Sequence, residues 1–501
     1  MNNYINVFRK VLIICLMFLV SASLYSATYN IVGNRVNPND ITWQDFVNAV
    51  NNNQTAGNIY YLMDDVGVPG SSILTTPVTQ MLGGTFRGHF NGNNKKITVQ
   101  INENVTNVGL FSQLGSGGSI SNLIVDGSVI GGQQSDNVGG VAGEVLYGQI
   151  SNCTNLADVT GESHTSSVGG IVGTVNGDVV IHQGINNGII TGGQNVGGIV
   201  GTIIIPFDGY CIVHHCKNAG TVAGLGEFQN AMGGIIGFVE GNVPGLGFSL
   251  FTRNGTNIGK ILSNNSFYAG GIVGHSDCNV IIMHATNSGI VDGGMFSVGG
   301  IVGYLTTNIV INAIIDECIN TNWVTGSAQY SGAIVGFNNG TLTANYFDNQ
   351  MCVLNGIGNV PIPNVPWQAE GRPTTGMIGN NLPMWYAQQN PYPQLYPNSD
   401  ISMYYPVLPH PIDLLAAAPI YPDPNPDIAN ITQDFKVSNG IVLPAIYQHP
   451  YRWTSINGFI NISTTSDDAF INPPFGTLRQ DTLRVILPGE PYVKDIPIWL
   501  R

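Results

Sequence analysis

Along most of the chain, short runs of branched aliphatic residues alternate with clusters of Gly, Asn, Ser and Thr. The stretch "DVVIHQGINNGIITGG" (178–193) is typical: β-branched pairs and triplets bounded by Gly and Asn. Helical repeats would need apolar spacing near 3.6 and good helix formers. The pattern instead predicts short strands with turn punctuation. One segment departs from it. In "NPNDITWQDFVNAVNNN" (37–53), Trp43, Phe46, Val47 and Val50 fall on one helical face behind a capping Asp40 or Thr42, which predicts a single helix closing the first coil.

A glycine motif recurs through the strand-like region. It runs "VGLFS" (108–112), "VGGVAG" (138–143), "VGGIVG" (168–173 and 196–201), "MGGIIG" (232–237), "AGGIVG" (269–274), "VGGIVG" (298–303) and "SGAIVG" (331–336). Its first glycines, Gly109, Gly139, Gly169, Gly197, Gly233, Gly270, Gly299 and Gly332, are 28 to 37 residues apart. Self-similarity at that period predicts units that bury their faces by stacking on one another. Between the motifs, Asn155, Asn186, Asn218, Asn257, Asn287 and Asn320 each follow by two residues a small one: Cys153, Gly184, Cys216, Gly255, Ala285 and Cys318. Small residues allow coils to stack about 4.8 Å apart at a tight corner. Asparagine tolerates left-handed turns and can hydrogen-bond the asparagine of the next coil. Three strands per unit and one coil per unit predict an all-β chain. Its body would be a right-handed parallel β-helix of about eight coils, with "VGGIVG" as one glycine-flanked strand filling the bore.

The strings "FRGHFNGNNKKITVQI" (86–101) and "VGLFSQLGSGGSISNLIVDGSVIGG", followed by serial "VGGIVG…ISNCTN…VTG" units, resemble the GLUG-motif family of bacterial surface proteins. The likeness covers about 55–350, and "NYFDNQMCVLNGIG" with "TTGM…W…YPQL" resembles the usual end of such arrays. The resemblance implies a parallel β-helix on an exported chain. It implies no single activity, since such motifs occur in adhesin-like proteins and beside peptidase domains.

The two ends differ in character. Arg9 and Lys10, the apolar run "VLIICLMFLV" and the small residues "SASLYSA" read as a secretory signal peptide over 1–27, cleaved after Ala27. The run is too short for a standard membrane-spanning helix. Cys15 lies within it behind the bulky Ile14, which argues against a lipoprotein cysteine. Residues 28–107 are read as cap and first coil, 108–352 as the repeats, and 353–402 as a Pro-rich closing segment or linker. From 403 to 501, alternating runs such as "YRWTSINGFINIS" and "YVKDIPIWLR" predict a small β-sandwich. Trp453, "AFINPPFG" and "KDIPIWL" resemble atypical immunoglobulin-like domains of bacterial surface proteins.

Composition narrows the function. Only 9% of residues are charged and 43% are hydrophobic, so a sizeable core is expected and global disorder is not. Between 101 and 350 the only basic residues are Lys217, Arg253 and Lys260, leaving no track for nucleic acid, and the net charge of −14 follows from so few basic residues. Six cysteines after the signal peptide are too few for a disulfide scaffold. Asp126, Asp158, Asp178, Asp208, Asp277, Asp292 and Asp316 stand at different offsets from the Asn column, so no carboxylate column for glycoside hydrolysis is predicted. "CIVHHC" (211–216) and "HSDC" (275–278) offer Cys and His at conceivable zinc spacing, but Cys216 belongs to the small-residue column, and buried thiols or a Cys211–Cys216 disulfide explain them more simply. No H-E-x-x-H, G-x-S-x-G or P-loop is present. No catalytic, cofactor-binding or metal residue is assigned, and no cofactor is expected. The expectation is a non-enzymatic, exported protein at the cell surface (outer membrane-associated) or outside the cell, not membrane-spanning, with a glycan or a host or extracellular-matrix surface as partner. Tyr147, Tyr210, Tyr304 and Trp323 are the candidate sugar-stacking aromatics. The alternatives are a carbohydrate-active β-helix enzyme, with its site in the insertions 202–210 or 240–251, and a structural spacer.

Overall fold

The β-branched runs fold into strands that stack in register as a parallel β-helix of about ten turns. The structure is a computed structural model. It describes residues 27–372, apart from 166, 207–208, 226–228, 242–249, 264–265, 307–312, 326–327, 350–351, 353 and 363–364, together with the backbones of six strands between 433 and 500. The expected signal sequence, most of the insertion 240–251 and residues 373–402 therefore lie outside the described residues.

One coil shows the path. Val179–His182, Ile185–Asn186 and Ile190–Gly192 lie in the largest sheet, Asn195–Gly197 in an eight-stranded sheet and Val200–Ile205 in a nine-stranded one. The chain then re-enters the largest sheet at Cys211–His214, parallel to Val179–His182. The eight coils expected from the glycine motifs undercount the stack, because turns with strands at Thr28–Ile31 and Ile59–Leu62 precede the first motif.

The glycine motif is not one strand. Ser167–Gly169 ends in the eight-stranded sheet, Gly170 and Ile171 turn the corner, and Val172–Asn176 begins in the nine-stranded sheet. A side chain at Gly169 would run into the Val172 carbonyl, and one at Gly170 into the Gly198 carbonyl and the Asn186 carboxamide of the next coil. Close approach of backbone to backbone explains the glycine pair, as at other positions where only hydrogen fits. The aliphatic positions do fill the bore as expected: Val168, Ile171, Val172 and Val175 are fully buried, and their counterparts Val196, Ile199, Val200 and Ile203 stack above them. Each contributes roughly 1.5–3 kcal/mol of apolar burial.

On the largest sheet the two other columns appear as predicted. Cys153, Cys216, Ala285 and Cys318 point into the bore. The six asparagines form one buried ladder, each Nδ2 donating to Oδ1 of the next, at 2.8 Å (155 to 186), 2.8 Å (186 to 218), 2.9 Å (218 to 257), 2.8 Å (257 to 287) and 2.9 Å (287 to 320). The left-handed conformation belongs to a different column. Asn152, Gln183, His215, Asn254, His284 and Glu317, each just before the small residue, have φ between 52° and 56°.

At the N-terminal end, helix α1 (Trp43–Asn51) has Thr42 as its N-cap in a reciprocal capping box with Asp45, and Phe46 and Val50 are buried. Phe46 packs on Tyr60, Phe86, Phe90 and Phe111, closing the bore. Asp40, the other candidate cap, instead accepts from the Val36 and Asn37 amides. At the other end, Ala369–Arg372 continues the parallel stack on Asn345–Asp348. In 403–501 the described strands pair antiparallel as two three-stranded sheets. How those sheets pack, the expected sandwich itself, falls outside the described residues.

Candidate functional site

The corner made by each glycine motif brings the outer faces of two sheets against each other. The residue after the motif stands outward on the nine-stranded sheet. In successive coils it is Glu144, Thr174, Thr202, Phe238, His275, Tyr304 and Phe337. Facing it from the eight-stranded sheet are Asn137, Ser167, Asn195, Ala231, Tyr268, Ser297 and Tyr330. In the lower coils the two rows cross-link by hydrogen bonds. Asn107 donates to Glu144 at 2.9 Å, Thr174 to Asn137 at 2.6 Å and Ser167 to Thr202 at 2.6 Å.

From Phe238 upward the same trough is aromatic. Ring centroids are 4.9 Å apart for Phe238 and His275, 4.4 Å for Tyr268 and His275, 4.6 Å for Tyr268 and Tyr304, and 4.7 Å for Tyr304 and Phe337. Phe296 and Tyr330 pack edge-on at 5.4 Å, and Tyr330 meets Phe337 at 5.1 Å. Parallel in-register stacking sets this spacing, since one coil per strand separation suits offset ring contact. All these rings are half-buried. Burial lowers His275 to about 4 and raises Tyr268 and Tyr304, so these three rings are uncharged at neutral pH. The upper trough is a strip of partly exposed, neutral aromatic surface.

Of the four aromatics expected to stack on sugars, the structure places Tyr304 in this trough. Tyr147 sits exposed on a left-handed turn with its ring over Gly177. The Tyr210 amide donates to Asp178 at 2.9 Å, and the Trp323 carbonyl accepts from Val291, both beside the largest sheet. The other trough aromatics were missed, although each sits at a fixed offset from its glycine motif.

A second cluster lies on the left-handed turn of the largest sheet. His182, His214, Arg253, Met283 and Asp316 are in register, and the next column holds His215, Asn254, His284 and Glu317. The His182 and His214 rings stack at 4.3 Å, and His214 Nδ1 is 3.1 Å from His215 Nδ1. Arg253 Nε donates to His284 Nδ1 at 3.1 Å, and His284 Nε2 lies 2.9 Å from Glu317 Oε2. Burial first, then the neighbouring histidines and Arg253, hold His214 and His284 at about 3 and His215 at about 4. Burial, reinforced by Asp316, raises Glu317 to about 8, and burial raises Asp316 to about 6. At neutral pH, His284 and Glu317 thus form a hydrogen bond between neutral partners rather than an ion pair.

The structure separates the Cys and His residues of 211–216. Cys211 and Cys216 are buried in the bore as free thiols, whereas His214 and His215 stand on the outer side. Burial pushes Cys216 up to about 12, so it is an inert thiol. All six described cysteines are free, and the 211–216 disulfide is absent. His275 and Cys278 also part, the first into the trough and the second into the core.

Residues 135–160 match the GLUG motif, a segment that spans one turn from Asn137–Gly139 to Asp158–Gly161. No curated protein matches the chain. Among solved structures it is similar to a Bacteroides ovatus protein provisionally named an immunoglobulin A1 protease, with 16% identity, 54% of this chain and 70% of that chain covered, and a TM-score of 0.35. Among the described residues no helix is long and apolar enough to cross a membrane.

Proposed function

We propose that the chain is an exported, non-enzymatic surface or extracellular protein that uses its β-helix as a rigid rod and its aromatic trough to bind glycans on a host or matrix surface. The observation that carries this reading is the change of the trough from hydrogen-bonded polar residues to partly exposed rings at Phe238. Rows of partly exposed rings are uncommon on a surface that only faces water. A flat, uncharged strip suits the apolar faces of sugar rings, and repetition along the rod lets weak contacts sum by avidity. The export pattern at 1–27 and the GLUG motif at 135–160 support the extracellular setting.

The test is a glycan array probed with the purified chain, read by retention and by mass spectrometry of the printed glycans. Retention with intact glycans is expected. Tyr304→Ser and Phe337→Ser should each weaken it by about 0.5–1.5 kcal/mol, up to roughly tenfold. Retention unchanged in both variants would remove the trough from the argument. A second reading, a carbohydrate-active enzyme, is favoured by the raised carboxyls of Asp316 and Glu317 beside Arg253 and His284. It requires shortened glycans on the same array, with shortening abolished in Glu317→Gln. Neither retention nor shortening would leave the rod as a spacer.

A further inference from the structure

We propose that His182, His214 and His215 form a binding site for a divalent transition metal ion of the zinc class on the outer side of the largest sheet, remote in role from the aromatic trough. Two coils build it. His182 comes from one coil, and His214, its in-register neighbour, comes with His215 from the next. One ring nitrogen from each of the three lies within 4.8 Å of the others. The 3.1 Å between His214 Nδ1 and His215 Nδ1 is close to the edge of a tetrahedron whose metal–nitrogen bonds are about 2.0–2.1 Å.

The stacked rings of His182 and His214, inclined by only 16°, cannot both aim a lone pair at one point as they stand. One must turn about χ2, a broad torsion for histidine. The ladder fixes the backbone of His182 and His214, and the left-handed turn that of His215. Asn254 lies over the site from the coil above, its Nδ2 placed 2.7 Å from His215 Nε2. With the amide oxygen toward the ring, Nε2–H donates and Nδ1 is left as the metal donor. The oxygen and nitrogen of such an amide are assigned from the hydrogen-bond network, so both orientations are open to it.

Three neutral imidazoles select zinc, copper, nickel or cobalt over calcium or magnesium, which take oxygen ligands. A three-histidine set leaves a fourth position for water. Arg253 is next in register to His214, and its Nε is turned toward His284.

The test is titration of the purified full chain with Zn2+ against a chromophoric chelator, and with Co2+ read by its visible spectrum. One equivalent of Zn2+ is expected, lost in His182→Ala and in His215→Ala, retained in the exposed control His164→Ala, and weakened about 10–100-fold in Asn254→Ala. The absence of stoichiometric binding, or binding unchanged in His182→Ala, overturns the site. Should His182→Ala disturb the melting curve, the Co2+ spectrum of the unaltered chain decides. Bands of four-coordinate, imidazole-bound cobalt support the proposal. Their absence, or thiolate charge-transfer bands that would place the metal on cysteine, overturns it.

Discussion

A single added carbon should act in opposite directions at Gly198 and Gly184. At Gly198 a Cβ would run into the Gly234 carbonyl oxygen and the Asn218 carboxamide, both on the next coil and neither able to retreat. Gly198→Ala should lower stability by about 1–3 kcal/mol, as other forced overpacking does. At Gly184 the nearest atom to a new Cβ is Cys216 Sγ at 3.5 Å, an ordinary contact, and the same column carries Cys and Ala in other coils. Gly184→Ala should therefore hold or raise stability, by up to about 0.4–1 kcal/mol through the unfolded chain. Denaturant midpoints of the two variants check this; equal losses would contradict the corner geometry. The small column was readable because its residues vary among Cys, Gly and Ala, which reports size alone. The motif glycines admit more than one reading. A strand end and a corner both favour Gly, and only the contact with the next coil separates them.

The asparagine ladder is where side-chain chemistry becomes an element. Asn218 accepts from Asn186, donates to Asn257 and also donates to its own Gly220 carbonyl, all within the buried corner. Asn218→Ala strands a donor on one side and an acceptor on the other, at about 1–3 kcal/mol for each buried group left unsatisfied. Asn155 makes one rung, to Asn186, but also donates to the Ala157 carbonyl and accepts from the Ala157 amide, so Asn155→Ala should cost about as much. Thermal unfolding of the two variants checks this; a clearly larger loss at Asn218 would mean that interior rungs are worth more than the local bonds at the ladder's end. Both the column and its hydrogen bonds could be read from sequence, since identical residues at one offset must stack when coils do. The trough was equally available in principle. Phe238, His275, Tyr304 and Phe337 directly follow Gly237, Gly274, Gly303 and Gly336. It stayed hidden because a motif taken for one strand gives no reason to pair the residue after it with Tyr268 or Tyr330 across a corner. His182 was missed for a related reason: it lies 32 residues before His214, and sequence proximity drew attention to Cys211 and Cys216 instead.

At the scale of the molecule, stacking decides which charges are tolerated, and that gives the whole rod a pH optimum. Burial lowers the pKa of His182, His214, His215, His275 and His284 below the ordinary 6.5. As pH falls below that value, the unfolded chain takes up protons that the folded chain refuses, and stability drops. Glu317 works in the other direction. Its carboxyl, raised from 4.5 to about 8, keeps in the folded state a proton that the unfolded chain has already lost, so stability falls as pH rises toward 8. Asp316, raised to about 6, and Asp277 and Asp292, also raised by burial, add to the same trend at lower pH, where the lowered histidines, His89 among them, outweigh these carboxyls. The unfolding midpoint should therefore peak at about pH 7 and decline on both sides. Glu317→Gln keeps the shape of the side chain and its place beside His284, but removes the group that titrates. That variant should lose the decline above about pH 7 while keeping the acid limb. A midpoint flat from pH 5 to 8 in the unaltered chain would show that the turn column is wetter than its packing implies. A decline that persists in the variant would move its source from Glu317 to another group.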